Sequence, residues 1–165
     1  TVMASFGAGR ASQFALGLDR RPEMPSPDSL QSAPYTEGMM PPFLQYIDLR
    51  WAEGSPPLSQ CPDSRHSIWT KFRDHGPATL SHLIALADFP APIPLSMIAE
   101  PANASSLTWT MEFVDHDWQA DMGDWWFLQV DLLQCSEGYA NQQYTIWAPD
   151  GRPVALARQV MTVFA

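Results

Sequence analysis

Positive charge is scarce in this chain. Nine Lys and Arg stand against 18 Asp and Glu, for a net charge of −9, and charged residues make up only 16% of the 165 positions. A phosphate-backbone binder draws its affinity from a basic face that releases counterions, so a nucleic-acid partner is excluded. Docking on an anionic membrane is excluded on the same electrostatic ground. No apolar run reaches about 18 residues, so no spanning helix is expected. Cysteine is almost missing. Cys61 and Cys135 are too few for a disulfide scaffold or a four-thiolate zinc site. One disulfide between them stays open beside a reduced pair, and the reduced pair implies a cytoplasmic protein.

Signature motifs are missing too. There is no G-x-S-x-G nucleophile elbow, no phosphate-cradling glycine loop and no dinucleotide fingerprint. The four histidines, His66, His75, His82 and His116, include no i, i+4 pair and no ligand spacing with a cysteine. Neither a metal nor a cofactor is therefore expected. Cys135 beside Ser136 has the chemistry of a nucleophile, but a cysteine inside an apolar strand is more often inert packing.

Hydrophobic residues at 45% are enough for a packed core. Proline is concentrated early: of 16, only Pro149 and Pro153 lie beyond Pro101. Long connections therefore belong to the first hundred residues and regular sheet to the last sixty. Thr1–Phe6 is strand-like and closed by Gly7 and Gly9, while Leu18–Met40 reads as exposed linker. Leu44–Trp51 and Ser67–Arg73 alternate like strands. Pro77 then opens a helix over Ala78–Asp88, with Leu80, Leu83, Ile84 and Ala87 on one apolar face. Pro90, Pro92 and Pro94 end it.

Four strands follow. Ser105–Val114 alternates polar Ser106, Thr108, Thr110 and Glu112 with apolar Leu107, Trp109, Met111 and Phe113. Trp125–Cys135, Tyr139–Trp147 and Val154–Phe164 complete the set, the last two joined by an Asp150-Gly151 hairpin turn. One apolar helix buried on a curved antiparallel sheet is a two-layer α+β arrangement. In the last strand, Gln159 shares a face with Ala155, Ala157, Met161 and Val163. A lone amide there must be hydrogen-bonded. It is either a core glutamine satisfied by backbone, or an amide that orients a water or polarises a carbonyl.

Several segments occur in a telling order. They are Trp69–Arg73, Leu86–Pro90, Ser106–Phe113, Trp125–Leu128, Gly138-Tyr139, Trp147–Ala155 and Ala157-Arg158-Gln159. Together they resemble the second half of double-hotdog acyl-CoA thioesterases, the acyl-CoA thioesterase II-like family, over about residues 43 to 165. The resemblance implies a hotdog fold, a curved antiparallel sheet wrapped around one long helix. It implies three parts: residues 1–17 as the last strand of a preceding hotdog unit, 18–42 as linker, and 43–165 as the C-terminal hotdog domain.

That family hydrolyses acyl-CoA thioesters without metal or covalent intermediate, using an Asp, a Ser or Thr, and a Gln that hold the attacking water. Gln159 matches the glutamine. The Asp position falls at Thr108, which cannot serve as a general base at neutral pH, and the hydroxyl position falls near Gln134–Ser136. The implied catalytic residues are thus Gln159, Thr108 and Ser136, with Gln134, Asp131 and Gly138 contacting substrate. Glu112 or Asp131 could replace the missing Asp. The implied cleft is an apolar tunnel bordered by Gln159 and Thr108, between two hotdog units. Its implied partners are a fatty acyl-CoA and a second hotdog unit, on the same or a separate chain, in a homo-oligomer of lipid metabolism. The Asp-to-Thr departure supports an alternative, a non-catalytic hotdog module that binds acyl-CoA or serves assembly. A dehydratase or hydratase using Asp88 and His82 ranks last, since six residues apart on a helix they occupy different faces.

Overall fold

The computed structural model describes residues 1–164. Six strands form one antiparallel sheet: β1 (Ile47–Glu53), β2 (Arg65–Phe72), β3 (Asn103–Phe113), β4 (Trp126–Ser136), β5 (Tyr139–Trp147) and β6 (Pro153–Phe164). Their order across the sheet is β1-β2-β4-β5-β6-β3. Among the described residues there is a single α-helix, α1 (Leu80–Asp88), between β2 and β3 in the chain. This is the α+β hotdog arrangement expected from the sequence, with the curved sheet holding the helix on its inner face.

The helix begins two residues later than Pro77 suggests, because Thr79 is its cap. The Thr79 N–H donates to His82 Nδ1 at 3.0 Å, and the His82 N–H donates to the Thr79 carbonyl at 3.0 Å. These bonds satisfy donors that a helix start leaves open. Leu83, Leu86 and Ala87 are fully buried against Trp126, Leu128, Ile146, Val154 and Ala155. The expected stripe was rotated from this. Leu80 is 49% and Ile84 37% exposed, while Leu86 carries the contact instead. The i, i+3, i+4 spacing permits either face, and the sheet's bulky Trp126 and Leu128 select the one centred on Leu83 and Leu86.

The outer face has its own cluster of Trp69, Phe127 and Trp147. Trp69 meets Phe127 edge-on at 4.9 Å between ring centres. The segment read as exposed linker covers it in part. The Trp147 indole donates to the Asp19 carbonyl at 3.0 Å, and the Trp69 indole donates to the Pro25 carbonyl at 2.9 Å. The Arg21 guanidinium sits 4.3 Å from the Trp69 ring centre, and the Arg21 N–H donates to the Gly151 carbonyl at 3.0 Å. Exposed indoles recruit chain that can accept from their N–H, and a cation suits the ring face. Residues 19–30 are therefore a docked strap. Residues 1–18 are exposed and carry no helix or strand, so among the described residues Thr1–Phe6 pairs with no strand.

Two further differences have simple causes. The first predicted strand starts at Ile47 because Pro42–Tyr46 forms a 3-10 turn with proline at its first position. β3 is interrupted by a bulge: Ser106 faces Met161 and Thr108 faces Val160, leaving Leu107 as the extra residue. Tyr139–Trp147 and the Asp150-Gly151 turn match expectation, with Gly151 at φ 83°. Among the described residues no helix is long and apolar enough to cross a membrane.

The rotated helix stripe sets a testable difference. Leu86→Ala should cost about 2–5 kcal/mol in urea unfolding, as a large-to-small change in a closed core. Ile84→Ala, half exposed, should cost about 1 kcal/mol or less. Equal losses would place the buried stripe elsewhere.

Candidate active site

A cavity of about 700 Å³ opens on the inner face, beyond the C-terminal end of α1. Met39, Phe43, Leu49, Trp51, Leu95 and Met161 give it an apolar wall. Polar groups are few: Gln159, Ser105, Ser106, Asn103, His66 and Asp88 reach it with Thr36. Asp88, at the last turn of α1, is the one carboxylate residue among the described lining residues.

β6 alternates as the sequence predicts, with Ala155, Ala157, Gln159, Met161 and Val163 all buried. Gln159 does not bond to backbone. It belongs to a chain of side chains that crosses β5 and β6. The Ile93 backbone N–H donates to Gln142 Oε1 at 2.6 Å. Gln142 Nε2 donates to Tyr144 Oη at 2.9 Å, and Tyr144 Oη donates to Gln159 Oε1 at 2.8 Å. Gln159 Nε2 then donates to Ser106 Oγ at 2.5 Å. Gln142, Tyr144 and Gln159 are all buried, while Ser106 is exposed toward the cavity. Burial pushes the Tyr144 phenol well above its ordinary pKa, so it stays a donor across the working pH range.

The bulge at Leu107 decides which hydroxyl meets Gln159. Residues directly opposite in an antiparallel pair share a face. Ser106 pairs with Met161 and so faces inward with Gln159, whereas Thr108 pairs with Val160 and faces outward. Thr108 is exposed and does not line the cavity, so the expected Gln159–Thr108 border is in fact Gln159–Ser106. Leu107, placed on the apolar face by alternation, is 56% exposed for the same reason.

The remaining predicted site residues lie elsewhere. Gln134 and Ser136 sit at the end of β4, where Gln134 Nε2 donates to Ser136 Oγ at 3.4 Å. Through Tyr139, Ser136 is in register with Thr162, on the face away from Gln159. Asp131 is ion-paired with Arg65 at 2.6 Å and accepts from Gln129 at 3.1 Å. Glu112 pairs with Leu156 and is exposed on the outer face. Gly138, at φ 78°, serves the β4–β5 hairpin. The structure thus brings Gln159 and Ser106 together and leaves Thr108, Gln134, Ser136, Asp131 and Gly138 apart from them. Gln142 and Tyr144 were missed. The available signal was a second amide, Gln142, directly opposite Gln159 in a hairpin.

His66 is a second buried polar group. Its Nε2 lies 3.8 Å from Asp63 Oδ2, and neither atom has a hydrogen-bond partner among the described residues. Its ring lies against Gly54, whose φ of 84° and lack of a side chain permit that approach. Burial lowers the His66 pKa, partly opposed by Asp63. Among the described residues no three His, Cys, Asp or Glu gather as a metal site.

Comparison with known proteins gives a consistent picture. Residues 19–163 match the family model described as acyl-CoA thioesterase C-terminal domain. No curated protein gives a match. Among solved structures, a conserved hot dog fold protein of unknown function from Alicyclobacillus acidocaldarius is similar, with TM-score 0.76 and 20% identity, over 94% of this chain and 59% of that one. An acyl-CoA thioesterase II from Mycobacterium marinum is similar at TM-score 0.67 and 19% identity, over 94% of this chain and 60% of that one. A hypothetical thioesterase from Streptococcus pneumoniae, solved with coenzyme A, has TM-score 0.51 and 16% identity, over 71% of this chain and 86% of that one. This chain therefore spans about three-fifths of the length of the first two.

The lowered His66 pKa has a stability consequence. In the unfolded chain the imidazole takes a proton near pH 6.5, while in the folded chain it resists until lower pH. The unfolded state thus binds more protons below about pH 6.5, and stability falls as pH drops through that window. Urea unfolding at pH 5.5 and 7.5 should show the loss, by up to about tenfold in the folding constant per pH unit for one proton. His66→Asn should flatten it. An unchanged slope in that variant would assign the pH dependence to other groups.

Proposed function

Given that this chain belongs to the acyl-CoA thioesterase C-terminal domain family, we propose that the protein hydrolyses the thioester of a fatty acyl-CoA, releasing free acid and CoA. The observation that carries this reading is the Gln159–Ser106 pair, held at 2.5 Å where an apolar cavity of about 700 Å³ opens. That volume lies in the range of small-molecule sites, and such sites combine apolar walls with a few fixed polar groups. An acyl chain matches the wall and a thioester carbonyl matches the polar end.

The reaction is a water attack. Water oxygen bonds to the carbonyl carbon, the C–S bond breaks, and the electron pair leaves on sulfur. One proton of the water ends on the CoA thiol and the other is lost as the acid ionises. The cleft lies between this hotdog unit and a second one, supplied by the same chain or another. The solved Streptococcus pneumoniae thioesterase with coenzyme A supports a CoA ligand on this fold.

A second reading has a specific observation behind it. Among the described residues no carboxylate is hydrogen-bonded to Gln159 or Ser106, and Thr108 stands on the outer face. Loss of a general base costs about 10²–10⁴ in rate. A hotdog module that binds acyl-CoA without turning it over fits that geometry.

Release of CoA thiol from acyl-CoAs of increasing chain length, measured on the intact assembly, separates the two. Turnover with a maximum at one chain length is expected, and Gln159→Ala should lower it by about 10²-fold or more. Binding of the same acyl-CoAs with no turnover at any length would establish the binding module instead.

A further inference from the structure

We infer that Gln142 and Tyr144 are positioning residues that lock Gln159 as a hydrogen-bond donor, so that Gln159 and Ser106 form a two-donor cradle for the thioester carbonyl oxygen. The inference rests on the thioesterase reading above and assigns Gln159 to the carbonyl, not to the attacking water.

The hydrogen-bond chain begins at a group whose polarity has no alternative. A backbone N–H can only donate. Because Ile93 N–H is 2.6 Å from the Gln142 amide, that amide must turn its oxygen toward Ile93. Its NH₂ then faces Tyr144 Oη at 2.9 Å and can only donate there. Tyr144 has one proton, and its remaining partner is Gln159 at 2.8 Å. Buried as it is, the phenol would leave that proton unsatisfied unless Gln159 turns its oxygen toward it. Gln159 must then present its NH₂ to Ser106, 2.5 Å away. Ser106 Oγ accepts this bond, which leaves the Ser106 proton free to donate into the cavity. Each amide orientation follows from the one before it, back to the main chain.

Two consequences follow for chemistry. Gln159 has a second amide proton, and Ser106 has its hydroxyl proton. Both are donors, and Gln159's one acceptor atom is turned toward Tyr144. A pair of donors at the end of an apolar cavity complements an acceptor-only group such as a carbonyl oxygen. As water adds, that oxygen gains negative charge, and the pair binds it more tightly than the ground state. The relay contributes by removing the freedom of the amide to flip. An unfixed amide would present its oxygen to the developing charge part of the time.

The relay can be reversed by one atom. In Gln142→Glu, the neutral carboxyl behaves as the amide does: its carbonyl accepts from Ile93 N–H and its O–H donates to Tyr144. Once ionised it can only accept, so it takes the Tyr144 proton, and Gln159 loses the partner that fixes its oxygen. Hydrolysis of the preferred acyl-CoA by the intact assembly should therefore fall as pH rises through one ionisation absent from the wild type. The expected fall in kcat is about 10²-fold, with KM within about threefold, measured at a temperature where the variant stays folded throughout the pH range, since ionising a buried carboxyl also lowers its melting temperature. Tyr144→Phe should show the lowered kcat at every pH. Parallel pH profiles for Gln142→Glu and wild type would overturn the inference. So would a loss of kcat no larger than the fraction unfolded at the assay temperature.

A readout independent of turnover keeps the inference separable from the thioesterase reading. In ¹⁵N-labelled protein, Ser106→Ala should shift the side-chain NH₂ resonances of Gln159. An unchanged Gln159 NH₂ would mean that it faces Tyr144, and the inference would fall even in an active enzyme. A shifted NH₂ in an enzyme without turnover would keep the donor orientation and remove the thioesterase reading.

Discussion

A short helix has to cover a wide sheet, and most of the molecule follows from that mismatch. α1 has nine residues, about 13 Å of helix, while β6 has 12 residues, about 40 Å of strand. The stripe of Leu83, Leu86 and Ala87 therefore seals only one end of the inner face. Chain without helical structure must roof the rest. Ile93, in the 3-10 turn Ile93–Ser96, packs on Val130, Tyr144 and Ala157. Beyond it the roof is the proline-rich chain whose composition prevents regular packing. The cavity lies where the helix ends and that irregular cover begins.

The same 3-10 turn also supplies the hydrogen-bond donor on which the polar site depends. A turn roofing an apolar sheet brings unpaired N–H groups into the core, and each needs an acceptor. Gln142 answers Ile93, and its own NH₂ then needs an acceptor in turn. Satisfying one buried group after another carries the network across two strands until it reaches Ser106 at the cavity. Packing and site polarity are thus one problem with one solution. A polar network in a core is tolerated only when every member is satisfied, and here the last member is satisfied at the solvent boundary.

The regular elements were legible because their patterns are local. Tyr139–Trp147 and the Asp150-Gly151 turn carry alternation and turn chemistry in adjacent residues. Gln159 stood out as a polar residue on a face of alanines and aliphatics. What was hidden depends on contacts distant in sequence. Ser106 and Thr108 are indistinguishable members of one polar row until the bulge at Leu107 sends them to opposite faces. Leu86 and Ile84 are equally apolar, and only the sheet selects between them. The linker's composition reads as extended chain, and extended it is over residues 19–26, before a 3-10 turn at Pro27–Ser29. Its docking was illegible because Trp69 and Trp147 lie far downstream.

The docked strap also fixes a point of departure. Arg21 is bonded to Gly151 in the β5–β6 turn, and Asp19 to Trp147 beside it. Whatever lies upstream of Asp19 is therefore tethered to that corner of the domain. Residues 1–18 span at most about 60 Å when fully extended. A tether of that length confines any group at its far end to a small volume around the sheet, which raises its local concentration far above that of a free molecule. The strap thereby turns a linker into a fixed mooring, and an upstream unit would meet this domain by an intramolecular search.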